Sequence, residues 1–126
     1  MKARSIFMKI PSIDDIVKKI KRESNPENLG MILVHNGIVR KTSKDGSKIV
    51  TEMLLSYDKE LLDKKIKELK NLPGIVEVLA FINDGKLKVG DDIMLVVVAG
   101  DRRSNILKPF EDFIEFIKKN VVREQE

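Results

Sequence analysis

The sequence predicts an α+β fold with a mainly antiparallel sheet, and three observations carry that reading. Strand-like and helix-like runs follow one another in the order β-α-β-β-α-β-β-α. Two of the strand-to-strand links carry Gly-containing turn signals and no helix, whereas parallel neighbours need a crossover of a dozen or more residues. The chain has 126 residues, 42% hydrophobic and 35% charged, which suits one domain over residues 1–126 with one core.

The elements are justified in chain order. Ile6 to Ile10 alternates apolar and polar residues and reads as a short strand ended by Pro11. Ser12 is an N-cap, with Asp14 and Asp15 in the first turn of the helix it opens. Ile13, Ile16, Val17 and Ile20 form the apolar stripe of that helix, Lys18, Lys19, Lys21 and Arg22 its solvated face. Asn25 to Asn28 ends it. Gly30 to Val39 is an apolar strand interrupted by His35, Asn36 and Gly37, with Arg40 at its exit. Lys41 to Ser47 is a polar loop with an Asp45-Gly46 turn signal, a hairpin or a mobile loop, and Lys48 to Tyr57 returns as a strand.

Asp58 caps a helix with Leu61, Leu62, Ile66 and Leu69 on one side, and Pro73-Gly74 stops it. Ile75 to Ile82 is the next strand. After the Asn83-Asp84-Gly85 turn, Leu87 leads into a second turn at Val89-Gly90-Asp91. Ile93 to Ala99 is the most apolar run, rich in β-branched residues, and reads as a central strand. Beyond the turn at Gly100 to Arg103, a last helix runs to about Asn120 with Phe110, Phe113, Ile114 and Ile117 inward. Proline suits the first helical position, so the regular part is expected to start at Pro109.

Composition removes several classes of chemistry. The chain has no cysteine and one histidine, which excludes disulfides, thiolate zinc sites, a cysteine nucleophile and multi-histidine metal sites. No metal and no cofactor is expected. There is no phosphate-binding Gly-rich loop, no dinucleotide fingerprint and no nucleophile elbow. No run approaches the length of a membrane span, and Lys9, Pro11 and Asp14 interrupt any signal-peptide core, so a cytoplasmic protein with no membrane partner is expected. The net charge of +4 comes from interspersed signs, and the chain's five Phe and one Tyr fall mostly at core positions. Without interleaved aromatics, nucleic acid is not the expected partner.

What remains is a set of cations at the ends of elements. Arg40 leaves a buried strand beside a loop, and Arg102 and Arg103 lie in the turn that opens the last helix. A helix start offers unpaired N–H groups and the positive end of the dipole, so an anion site and a solvated turn both fit Arg40 and the Arg102-Arg103 pair. Lys118 and Lys119 lie at the far end of that helix, where cations also favour the dipole; for Lys119 the structural reading is preferred. His35, alone in an apolar strand, reads as a satisfied structural residue, and Asp91-Asp92 as a turn before a buried strand.

Several of these residues form a pattern. Gly37-Ile38-Val39-Arg40, a loop with Gly46, and the strand ending Leu54-Leu55-Ser56-Tyr57 resemble the catalytic (large) subunit of molybdopterin synthase. Gly85-Lys86-Leu87-Lys88-Val89-Gly90-Asp91 resembles that family's Gly-x-Leu-x-x-Gly-Asp/Glu turn, and the basic turn with Ser104 and a helix ending in Lys118 follow at the family's spacing, so the resemblance runs from about Ser12 to Lys118. It implies an α/β-hammerhead-type fold in a homodimer that carries two small ubiquitin-like sulfur-carrier subunits ending in Gly-Gly. It implies transfer of sulfur from the carrier's thiocarboxylate to cyclic pyranopterin monophosphate, the pterin precursor. By motif position Arg40 binds substrate. Arg103, beside Arg102, matches an arginine contributed across the dimer, and Lys118 matches an acid/base or charge-stabilising lysine. The chain departs from the family in having Arg102 in place of a histidine, and Ile82 and Asn83 in place of an earlier His-Arg pair. It also lacks the Trp-Lys-x-Glu segment: Glu124 and Gln125 stand at its Trp-Lys, which leaves Arg123 as a substitute cation. A catalytic subunit and a non-catalytic homologue that binds carrier or pterin are the two functions implied.

Overall fold

The computed structural model describes residues 10–43 and 45–125. Among them the order is α1 (Ile13–Glu23), β1 (Met31–Ile38), β2 (Glu52–Tyr57), α2 (Lys59–Lys70), β3 (Ile75–Ile82), β4 (Gly85–Lys88), β5 (Asp92–Gly100), α3 (Arg103–Phe116) and β6 (Val122–Gln125), with a five-residue π-helix, Ile117–Val121, between α3 and β6. The strand expected over Ile6–Ile10 lies outside the described residues except for Ile10, a buried bend.

The strands make two antiparallel sheets rather than one. The first has the order β1-β5-β3 and the second β4-β2-β6. β5 is the central strand, as its composition predicts, and Leu95 to Ala99 are wholly buried (0% exposed) because both faces are covered. Leu95, Val97 and Ala99 pack with Ile10, Ile16 and Ile20 under α1. Met94, Val96 and Val98 face the other way, into a larger core with Leu62 and Leu69 of α2, Ile106 and Phe113 of α3, and Met53 and Leu55 of β2. That larger core joins the two sheets.

The caps sit where the sequence places them. Ser12 Oγ accepts from the Asp15 N–H at 3.4 Å, and Asp58 Oδ1 from the Leu61 N–H at 3.0 Å. Three boundaries differ. Residues 48–51 do not extend β2, because they pair back on their own loop: Ser43 N–H donates to the Lys48 carbonyl, Val50 N–H to that of Lys41, and Thr42 bridges Ile49. The last helix starts at Arg103, not Pro109, since burial of Ile106 draws the preceding turn into the core. Its end is π-helical, with the Val122 N–H bonded to the Ile117 carbonyl, and β6 follows as an unforeseen strand on the free edge of β2.

Candidate functional site

Where β1 ends, its partner strand carries one extra residue. Gly37 lies opposite Met94 and Ile38 opposite Asp92, so Ile93 is left over as a bulge. Bulges re-aim side chains at the rim of a sheet. Past it, Val39 N–H donates to the Asp91 carbonyl (2.9 Å) and Gly90 N–H to that of Val39 (2.8 Å), pinning the backbone that presents Arg40. The Arg40 guanidinium donates through Nη2 to the Ser43 carbonyl at 3.2 Å. Ser43 in turn is held by Asp45, whose Oδ1 accepts from the Ser43 hydroxyl (2.8 Å), the Ser47 hydroxyl (2.7 Å) and the Ser47 N–H (2.9 Å). These bonds, those from Ser47 foremost, draw the Asp45 carboxylate down to about 2.

The opposite wall comes from the π-helix and β6. Ile117 and Val121 are buried at the two ends of the π turn, which leaves Lys118 on its outer surface. π turns recur where a helix must aim a functional side chain. Together the walls enclose a cleft of about 390 Å³ lined by His35, Gly37, Arg40, Met53, Lys118 and Glu124, with apolar contributions from Ile38, Ile93, Met94 and Val122. It therefore holds two cations and one carboxylate over an apolar floor. Such a cleft suits an anion attached to a flat or apolar body.

The predicted cations divide. Arg40 and Lys118, 78 positions apart in sequence, line the same cleft. Arg102 and Arg103 are exposed at the start of α3 and do not line it. There the chain supplies its own anion: Asp101 Oδ1 accepts from the Arg102 N–H at 2.6 Å and the Asn105 amide at 2.9 Å. Arg123 is exposed on the side of β6 opposite Val122 and Glu124, outside the cleft. Lys119 pairs with Glu115 at 2.9 Å, in keeping with its structural reading.

His35 departs from its expected role. Its Nε2 is buried with no hydrogen-bond partner among the described residues, so it is not a satisfied core histidine. Burial, and after it the charge of Lys118, lower its pKa below the ordinary 6.5. Sequence reasoning missed it because a partner's absence is a property of the folded surroundings. The only signal was an imidazole two residues before a glycine, which puts both on one face of the strand.

Comparison with known proteins gives three likenesses beside a family match. Residues 10–120 match the family described as "MoaE protein". The chain is 29% identical over 111 residues to an uncharacterized protein of Methanocaldococcus jannaschii, covering 85% of this chain and 88% of that one. Its fold is similar to that of molybdopterin synthase from Staphylococcus aureus (TM-score 0.69, 20% identity, 86% of this chain and 80% of that one). It is also similar to a chain in the protein-protein complex of subunits 1 and 2 of molybdopterin-converting factor from Helicobacter pylori (TM-score 0.69, 25% identity, 90% of this chain and 77% of that one).

Proposed function

This chain belongs to the MoaE protein family and its role lies in molybdenum cofactor biosynthesis; from that premise we propose that it is the catalytic, large subunit of a molybdopterin synthase. Its partner in this reading is a small sulfur-carrier subunit ending in Gly-Gly, and the complex works in the cytoplasm as a homodimer bearing two carriers. In each transfer the carrier's thiocarboxylate sulfur replaces an oxygen on a carbon of the pterin precursor: one carbon–sulfur bond forms as one carbon–oxygen bond there breaks, and the displaced oxygen leaves that carbon as water or with the phosphate. Water then cleaves the carrier's acyl C–S bond, and its oxygen stays on the carrier as a carboxylate.

The observation that carries the proposal is the meeting of Arg40 and Lys118 in one cleft. Carrier tail and pterin phosphate are both anions, and a planar guanidinium can grip either bidentately. Lys118, on the facing wall, is placed to offset charge that develops as sulfur moves. Arg103, with Arg102 beside it, enters the same site from the other protomer in this reading.

A sulfur-transfer assay with thiocarboxylated carrier and the cyclic precursor tests it. Lys118→Ala is expected to lower turnover by about 100-fold or more, the usual scale for a lost charge-stabilising group. Arg40→Ala is expected to act mainly through KM, with the circular dichroism spectrum unchanged. Unimpaired rates in Lys118→Ala, Arg40→Ala and Arg103→Ala together would sink the assignment. A second reading rests on Glu124, a carboxylate facing the cleft where the family resemblance calls for Trp-Lys. It makes the chain a non-catalytic homologue, and binding of carrier or precursor without turnover is its signature.

A further inference from the structure

His35, the single histidine, has no task in the function proposed above. It lies on the face of β1 that carries Met31 and Leu33 into the larger core, at the end where that core opens into the cleft. An unpartnered buried polar atom is unfavourable, so a ring there only to fill space would serve better as Phe or Leu. The ring is held neutral at pH 7 by its burial and by Lys118, so it offers one donor and one acceptor nitrogen. Next to it, Gly37 places no side chain against the ring, and even a Cβ built there would lie 3.5 Å from Nε2 and 3.5 Å from Met94 Cγ, an ordinary contact. The ring torsion of histidine is broad. Turning it toward the cleft breaks no hydrogen bond at Nε2, because none is made there.

We propose that His35 is the specificity residue of the cleft: its neutral imidazole hydrogen-bonds the uncharged polar edge of a heterocycle whose anionic group is held by Arg40 and Lys118. The division of labour follows from charge. Two cations bind any phosphate or carboxylate of suitable size, whereas an uncharged donor–acceptor beside them, in an apolar wall of Ile93 and Met94, discriminates by the ring attached. The inference deepens the proposed function by assigning ring recognition within that site, and rests on that reading for its heterocycle, the precursor's pterin.

Binding of the cyclic precursor and of ribose 5-phosphate, an anion that carries no pterin, is measured by calorimetry for wild type, His35→Phe and His35→Gln. His35→Phe is expected to weaken precursor binding about tenfold, leave ribose 5-phosphate unchanged, and melt no lower than wild type. His35→Gln, which restores an uncharged donor and acceptor, is expected to recover part of the loss. With one histidine in the chain, its imidazole ¹⁵N signals need no assignment; they are expected to shift on adding precursor and to stay in place with ribose 5-phosphate. Equal precursor affinity in wild type and His35→Phe, with unmoved ¹⁵N signals, overturns the proposal. So does a wild-type chain that binds ribose 5-phosphate and not the precursor, although the cationic cleft then stands. His35-dependent precursor binding without sulfur transfer supports this inference and removes the catalytic reading instead.

Discussion

His35 and Asp45 both have lowered pKa values, in different pH ranges, and together they set how the site responds to pH. The folded-state pKa of His35 lies below 6.5. The unfolded chain therefore takes up its proton first as pH falls, and stability declines from about pH 6.5 down to the lowered folded value. A smaller drop in urea midpoint between pH 7.5 and pH 5.5 is expected for His35→Phe than for wild type; equal drops would show that the ring is not held neutral. Asp45 shifts in the same direction from a different cause, a carboxylate held at about 2 by its hydrogen bonds, so its contribution is present above its ordinary 3.8 and is lost only as pH falls toward 2. Across the range in which His35 titrates, the loop behind Arg40 thus stays tied. Asp45→Ala is expected to speed amide exchange at Ser47 and Lys48 and to weaken Arg40-dependent anion binding. Arg40 and Lys118 were legible in the sequence because a motif and its spacing mark them. The unpartnered nitrogen of His35 was not, since hydrogen-bond satisfaction depends on residues such as Met94 that lie far off in sequence.

At the level of elements, local rules succeeded wherever a cap or a stripe decided the outcome. Ser12 and Asp58 start their helices as read, and β5 is central for the composition that marked it. The failures have tertiary causes. Pro109 argued for a late helix start, yet Ile106 gains enough from full burial to carry the helix back to Arg103 despite the hydrogen bond proline cannot donate. β6 holds one buried apolar residue in four and becomes a strand only because β2 offers an unpaired edge. One junction fixes several elements at once. Gly30 N–H bonds the Gly100 carbonyl at 2.7 Å and Asp101 N–H that of Gly74 at 3.0 Å, which ties the starts of β1 and β3 to the end of β5. A Cβ on Gly100 would run into Ile106 and the Gly74 carbonyl, and Gly74 itself has φ 82°. Gly100→Ala is therefore expected to cost about 1–3 kcal/mol in urea unfolding, through overpacking that the backbone cannot relieve. An unchanged midpoint would mean that the junction is looser than its contacts imply.

For the molecule as a whole, the placement of cations bears on assembly. Arg40 and Lys118 share a cleft while Arg103 stands at the start of α3, so a site using all three needs two protomers. Mixing Lys118→Ala with Arg103→Ala protomers should then restore roughly a quarter of wild-type sulfur transfer, because half of a random dimer population is mixed and has one intact site of two. Sedimentation should give about twice the 14.4 kDa chain mass. No restoration on mixing would confine each site to one chain. The antiparallel architecture was legible from turn signals and strand order. Its division into two sheets was not, because β2 and β4 carry no mark that keeps them from pairing with β5.

The two walls of the cleft belong to parts of the fold with very different lifetimes. One is built on β5, paired on both edges, whose amides are expected to exchange only when the whole chain unfolds; the other on β6, four residues paired along a single edge to β2. A ligand that spans Arg40 and Lys118 therefore acts as a staple across a breathing seam. Its binding should slow hydrogen exchange in β6 far more than in β5, and the free energy spent closing that seam is subtracted from the affinity of every molecule the cleft takes in.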